Sequence, residues 1–301
     1  FKQKTAYEIR LSLVGSEMCI RDRDIDIVFH AAALKHVGLG EYNPFEVVRT
    51  NLVAIQSLIE CAIDANVEKF IFTSSDKAVN PTNVMGGSKF IGERLITAAN
   101  IYRGKKRTIF ASTRFGNVLG SAGSVVPIFQ KQIRAGGPVT ITSREMTRFF
   151  MTKCESVDLL MSAAVASHGG EVFVPKMHSV RLMDLAKAMI ELLGNGKDIG
   201  FKEIGLRPGE KMYEELISEE ELPRCLETEK LLIVLSNCDE NHFTAAGKDA
   251  SLLAPEDYPD KARYAKAVFS SRSEVPNVYD DVVRLMRDDV LSDDTASPLQ
   301  K

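Results

Sequence analysis

From Asp24 onward the chain alternates short apolar runs with longer segments of helical period. Ile25-Asp26-Ile27-Val28-Phe29-His30 reads as a short strand that ends in the small residues Ala31-Ala32-Ala33. A helix is predicted next, with Asn43 as N-cap, Pro44 at the first helical position, and apolar residues at Val48, Leu52, Ile55, Ile59 and Ile63. Phe70-Ile71-Phe72-Thr73 is a buried strand, followed by a polar turn through Pro81 and a helix from about Met85 to Tyr102. Thr108 to Thr113 is a third strand. Strand–helix–strand units with continuously apolar strand centres predict an α/β fold, a doubly wound parallel sheet covered by helices on both faces.

Beyond Gly120 the texture changes. A helix over Val125–Ala135 leads through Gly136-Gly137-Pro138 into a strand at Val139–Thr142. Glu155–Ser167 and Leu182–Leu193 read as helices closed by glycine, Glu171–Val174 as a strand, and the segment near Tyr213 as a helix. Leu231 to Leu235 is short enough to be a strand. The predicted organisation is a sheet domain over residues 24–170 and a smaller α/β lobe over 171–235 with contributions from 117–150. A polar extension follows over 236–301, with one amphipathic helix near Val278–Met286. Residues 1–23 lack a clean period and resemble translated adapter sequence, so they are set apart as a non-native segment.

Composition narrows the class. The balance of 38 basic against 41 acidic residues leaves no global field to recruit nucleic acid or an anionic membrane. Cys19, Cys61, Cys154, Cys225 and Cys238 are scattered without metal-ligand spacing, which points to a reduced, cytoplasmic chain without a metal site. No apolar run approaches the ~20 residues of a membrane span.

In an open parallel sheet, ligands sit beyond the carboxyl ends of the strands. Three consecutive strand ends carry chemistry: His30 to His36, Ser74-Ser75-Asp76-Lys77, and Arg114-Phe115-Gly116-Asn117. With the stretches FHAAALKHV, EYNPFEVVRTN, SSDKAVNPTNVMGGSK, RFGNVLGSAGSVVPIF, MTRFFM and GLRPGEKMYEEL, the order of motifs over Ile25–Ile217 resembles the bacterial polysaccharide-biosynthesis UDP-N-acetylglucosamine 4,6-dehydratases. These are extended short-chain dehydrogenases, and the resemblance is to their methionine-containing, configuration-retaining branch.

That resemblance implies a Rossmann-like fold, NAD as cofactor, a UDP-sugar substrate, a homo-oligomer and lyase chemistry. Hydride leaves carbon 4, the resulting ketone acidifies carbon 5, water is eliminated from carbons 5 and 6, and hydride returns to carbon 6. Asp76 matches the family's general acid and Lys77 the base at carbon 5. Lys89 matches the lysine of the Tyr-x-x-x-Lys pair, with Met85 at the tyrosine position. A thioether cannot accept the carbon-4 hydroxyl proton, which leaves Asp76, through water, as the candidate for that step. Ala31, Ala32, Ala33, Lys35, Asn51, Ser74, Ser75 and Lys89 are assigned by resemblance to the cofactor side. The other role for Asn51 is a structural hydrogen bond to the neighbouring strand, and the two can coexist.

His36, Arg114, Asn117, Ser124, Thr140, Arg148, Arg207 and Glu210 are the candidates for the nucleotide-sugar side. Arginine forks suit a diphosphate. Glu210 would orient a ribose or Arg207, or else act as a charge at a helix N-terminus.

No G-x-G-x-x-G or G-x-x-G-x-x-G occurs in the sequence. The expectation is therefore a chain lacking the first part of the dinucleotide fold, with exposed sheet edge and little activity by itself. Full-length relatives often carry N-terminal membrane helices, which would place such a protein on the cytoplasmic face of the inner membrane. Two other readings stay open: an NAD-dependent nucleotide-sugar 4-epimerase, and a non-catalytic nucleotide-binding relative.

Overall fold

The computed structural model describes residues 14–237, 254–258, 262–272 and 282–283. Its centre is a seven-stranded sheet of order β1-β2-β3-β7-β11-β10-β12. Strands β1 (Ile27–His30), β2 (Lys69–Ser75), β3 (Ile109–Phe115) and β7 (Val172–Pro175) are parallel, while β11 (Leu231–Val234), β10 (Cys225–Glu227) and β12 (Arg263–Tyr264) add antiparallel pairings. Phe70, Ile71, Phe72, Phe110 and Ala111 are fully buried, as the unbroken apolar runs of β2 and β3 require when helices cover both faces.

On one face lie α4 (Ala54–Asp64) and α5 (Val84–Tyr102), closing a core with Ile55, Leu58, Phe72 and Ile96; on the other lies α7 (Lys153–Ala166). Helix α7 starts with a capping box, Thr152 accepting from the Glu155 backbone and Glu155 from that of Thr152. The predicted helix after β1 is broken into α2 (Val37–Tyr42), α3 (Pro44–Val48), a π-helical turn over Arg49–Val53, and α4. Asn43 does not cap α3. Its side-chain amide turns back to the Leu39 carbonyl at 3.0 Å, finishing α2 instead.

Within residues 1–23, Val14–Asp22 forms a helix, α1, that packs on α4 through buried Ile20. Its weak apolar periodicity hid it: Ile20 is buried, while Met18 and Cys19 are exposed. Strand β1 is the sheet edge, with Ile27 and Phe29 41% and 40% exposed.

The division at residue 170 differs from the structure, because β7, β10 and β11 all join the main sheet. The smaller lobe comprises α6 (Val125–Arg134), α8 (Leu182–Leu193) and two small sheets. One joins β4 (Asn117–Val118), β6 (Thr147–Met151) and β8 (His178–Arg181), the other β5 (Val139–Ile141) and β9 (Phe201–Glu203). Phe129, Ile133, Ile141, Leu185 and Met189 form its separate core.

The helix expected near Tyr213 does not form. Glu214 and Leu216 instead bond the backbone and hydroxyl groups of residues 269–271, a tertiary pairing that overrides local propensity. The helix expected near Val278–Met286 falls outside the described residues except for Val282, buried in the lobe core, and Val283.

Candidate active site

The carboxyl ends of β1, β2 and β3 open into a cleft of about 360 Å³. The predicted cofactor-side residues Ala31, Ala33, Lys35, Ser74, Ser75 and Lys89 line it, together with Met85 and His36. Ala32 is exposed but faces away from this wall. A second cleft of about 240 Å³ lies against the lobe, walled by Thr140, Arg148, Arg207 and Glu210. Lys77, Asn117, Gly123 and Ser124 line both, so the two clefts meet at these residues.

The turn after β2 builds the junction. Ser75 caps a short 3-10 turn over Asp76–Ala78, its hydroxyl accepting from the Lys77 backbone at 3.3 Å and donating to Asp76 Oδ1 at 2.9 Å. Asn83 caps α5 by accepting from Gly86 N at 2.7 Å, and Glu41 accepts from Val84 N at 2.7 Å. Any Cβ at position 86 would lie 2.4 Å from the Lys77 carbonyl oxygen, so glycine lets α5 begin directly against the turn.

Lys77 Nζ donates to Asp76 Oδ1 at 2.9 Å and to Asn117 Oδ1 at 3.3 Å, and lies 3.9 Å from Glu214 Oε1. Burial works against its charge, but the carboxylates of Asp76 and Glu214 outweigh it and hold its pKa above the ordinary lysine value. Asp76 is fully buried behind Lys77 and lines neither cleft. Lys77 is the member of the pair that reaches the clefts, and Asp76 Oδ2 is buried without a hydrogen-bond partner among the described residues.

Met85 and Lys89 stand one helical turn apart, as expected, and both reach the first cleft. Lys89 Nζ donates to the Thr73 carbonyl at 2.7 Å and sits 4.6 Å from the Phe72 ring centre. Burial lowers its pKa to about 8, against the opposing pull of Glu93. Ser74 Oγ and Ser124 Oγ are buried without a hydrogen-bond partner among the described residues, two hydroxyls available to a ligand.

Arg114, Asn51 and His30 are held inside the protein. Arg114 is not a nucleotide ligand. It is 1% exposed, and its five N–H groups are all bonded: Nε and Nη2 to Glu93, Nη1 and Nη2 to Glu221, and Nη1 to the Leu216 carbonyl, at 2.6–3.0 Å. Asn51 lies off the cleft. Its carbonyl accepts from Leu34 N at 2.8 Å, and its amide donates to Leu34 O at 3.0 Å and Ser88 Oγ at 2.9 Å, fixing the loop after β1 to α5. His30, at the end of β1, is buried and stacked on Phe72, and burial beside Lys89 lowers its pKa to about 4.

The lobe is tied to the β2 turn by straps. Asn83 Nδ2 donates to the Gly209 carbonyl at 2.9 Å and Lys211 Nζ to the Val79 carbonyl at 2.7 Å. Glu210 accepts from the Arg207 backbone at 3.1 Å and shapes that loop; with no helix following, it has no helix charge to complement. Thr140 accepts from Gln132 Nε2 at 2.7 Å, and Arg148 donates to the carbonyls of Thr147 and Lys211.

Sequence reasoning missed Glu214. It is 2% exposed, lines the second cleft, and burial raises its pKa despite nearby Lys77. Its signal was available in the paired glutamates of GLRPGEKMYEEL, set between the apolar residues Tyr213 and Leu216. Among the described residues no group of three or more His, Cys, Asp or Glu could hold a metal, and no helix is long and apolar enough to cross a membrane.

The doubly wound sheet, the lobe across its strand ends and the Met85–Lys89 pair on α5 define an α/β protein of the extended short-chain dehydrogenase type. Within that class the chain belongs to the polysaccharide biosynthesis protein family, whose profile matches residues 14–236. It is 49% identical over 254 residues to an uncharacterized membrane protein of Methanocaldococcus jannaschii, covering 79% of this chain and 76% of that one. It is 43% identical over 200 residues to a UDP-N-acetylglucosamine 4,6-dehydratase (inverting) of Campylobacter jejuni, covering 66% of this chain and 58% of the enzyme. A UDP-glucose 4-epimerase of Rickettsia massiliae matches with the same identity and coverage. The chain thus spans little more than half the length of either bacterial enzyme. The solved structure of Pen from Bacillus thuringiensis is 37% identical with a TM-score of 0.79, over 91% of this chain and 78% of that one.

Proposed function

We propose that the chain carries the catalytic centre of an NAD-dependent UDP-sugar 4,6-dehydratase acting on UDP-N-acetylglucosamine. The observation that carries this reading is the position of Lys77, paired with Asp76 at 2.9 Å where the two clefts meet. A dehydratase needs a proton-transfer pair between its cofactor and its sugar; a 4-epimerase has no hydroxyl to expel from carbon 6 and no use for that pair.

The first cleft fits the nicotinamide end of NAD: small Ala31 and Ala33 allow close approach, and Ser74 and Lys89 offer donors at its wall. When bound, NAD supplies hydride acceptance from carbon 4 and hydride return to carbon 6. Lys77 does the proton work. Transfer of a proton from its ammonium to Asp76 leaves an amine and an acid with no change in net charge. The amine takes the carbon-5 proton, and the ammonium so formed gives a proton to the leaving carbon-6 hydroxyl, which departs as water. Asp76, behind it, keeps the proton that Lys77 lacks until the elimination is over; that proton then passes back through Lys77 to carbon 5, and the proton that the carbon-4 hydroxyl gave up to water restores the ammonium. Arg148 and Arg207 supply positive charge on the wall of the second cleft for the diphosphate, with Ser124 and Asn117 as neutral contacts.

The test is proton NMR in deuterated water of UDP-N-acetylglucosamine and NAD. It is run with this chain and with a form carrying a glycine-rich first βαβ unit joined at Asp24. A new methyl signal with deuterium at carbon 5, abolished by Lys77→Met, is the expected result. A 4-epimer without a methyl signal would replace this reading with the epimerase, which the Rickettsia similarity favours. A folded, NAD-bound protein that leaves the sugar unchanged would refute both.

A further inference from the structure

We propose that Glu214 is a positioning residue for Lys77, its buried carboxylate holding the lysine charged and aimed at the junction of the two clefts. The inference rests on the reading of Lys77 as the proton-transfer group and names the residue that governs it.

The argument begins with how the side chain is presented. Glu214 N donates to Ser271 Oγ at 2.9 Å, and Ser271 N donates to the Glu214 carbonyl at 2.9 Å. The backbone is therefore clamped without help from the side chain. The carboxylate, freed from any anchoring duty, projects into a group of cations: Lys77 Nζ at 3.9 Å, Arg148 Nε at 3.8 Å and Lys211 Nζ at 4.0 Å. All three distances exceed hydrogen-bond range, so the side chain acts as a charge and not as a bonded strut. Its Oε2 has no hydrogen-bond partner among the described residues.

The other cations are already occupied. Arg148 is bonded to the carbonyls of Thr147 and Lys211, and Lys211 to that of Val79. Lys77 is different, because its acceptors, Asp76 and Asn117, both belong to the reacting junction. The elements around Lys77 contribute Asp76 from its own turn, Asn117 from β4, Arg148 from β6, and both Glu214 and Lys211 from the 205–221 segment. Of the two carboxylates, Asp76 exchanges a proton with Lys77, whereas Glu214 is too far for direct transfer. The role left to Glu214 is to bias that exchange toward the ammonium form until substrate arrives.

An opposite charge at this range moves a buried pKa by about 1–3 units. The test reads Lys77 directly, by competitive acetylation across pH with mass spectrometry of the Lys77 peptide, in the protein without NAD or sugar. Glu214→Gln lowers the Lys77 midpoint by about one pH unit or more. Glu214→Asp, which keeps the charge, holds the midpoint closer to that of the parent, and Glu219→Gln on the exposed surface leaves it unchanged. Should Glu214→Gln fail to fold, Glu214→Met, neutral and of similar volume, repeats the measurement. An unshifted Lys77 in a folded neutral variant overturns the proposal. Because no turnover is needed, a shifted Lys77 in a protein inert toward UDP-sugars would refute the dehydratase alone, while methyl formation with an unshifted Lys77 would refute only the role of Glu214.

Discussion

Replacing Arg114 by methionine isolates the interaction that joins β3, α5 and the 216–221 segment. Arg114 is 1% exposed, and its removal strands two carboxylates, Glu93 and Glu221, that are 3% and 5% exposed at the side chain. Glu221 sets the scale. Burial alone would raise its pKa, but hydrogen bonds and charge from Arg114 bring it from 4.5 down to about 2. At about 1.4 kcal/mol per pH unit, that difference corresponds to about 3 kcal/mol. Breaking a buried pair by removing one partner costs about 3–5 kcal/mol, in line with this figure.

The sign follows from linkage. A carboxyl with a depressed folded pKa stabilises above its unfolded value near 4.5 and loses that contribution as pH falls toward 2. Arg114→Met therefore costs about 3–5 kcal/mol at pH 7, and the cost shrinks as pH falls, first above 4.5 as the stranded carboxyls protonate and then toward 2 as Glu221 of the parent does. Urea unfolding followed by circular dichroism at a series of pH values measures both. Arg114→Met with Glu93→Leu and Glu221→Leu, which leaves no charge behind, recovers most of the loss. A loss below about 1 kcal/mol, or one independent of pH, would refute the network as described. Weaker UDP binding at full stability would return Arg114 to the nucleotide side.

Three further outcomes follow from the same structure. Tyr258 donates to buried Glu171 at 2.9 Å, so Tyr258→Phe costs about 1–3 kcal/mol and speeds proteolysis near residues 254–258; unchanged proteolysis would count against the contact. Lys89, with a pKa lowered to about 8 by burial, makes the folded state bind fewer protons than the unfolded one up to 10.5. The stability of Lys89→Met relative to the parent therefore falls by about 3 kcal/mol between these limits, and a flat difference in urea midpoints across that range would disprove the shift. Gly86→Ala, placing a Cβ 2.4 Å from the Lys77 carbonyl, displaces the β2 turn. It should lower turnover at least tenfold with helix content retained by circular dichroism.

The parallel strands were legible because burial on both faces writes continuous apolar runs into β2 and β3. The junction was legible for a related reason: Ser75, Asp76 and Lys77 are adjacent in the chain at a strand end. Arg114 stands at a strand end too, but its partners Glu93 and Glu221 lie 21 and 107 residues away, and no local pattern announces such a pairing. Glu214 was hidden by a segment whose composition favours helix but whose backbone pairs with Ser270 and Ser271 far along the chain. Arg148 and Arg207 fell on the cleft as expected because their motifs lie in the loops and strands of the lobe that must face the sheet.

The straps between the lobe and the β2 turn address backbone carbonyls, those of Gly209 and Val79. A carbonyl is common to every residue type, so the seam depends on the donors Asn83 and Lys211 and not on the side chain of Arg207. Arg207 can be exchanged while the loop stays stitched in place, whereas Glu210 also accepts from the Arg207 backbone and holds the loop's shape. Evolution can thus change position 207 on the wall of the outer cleft without disturbing the alignment of Lys77, and a protein engineer has there one position that tolerates rewriting.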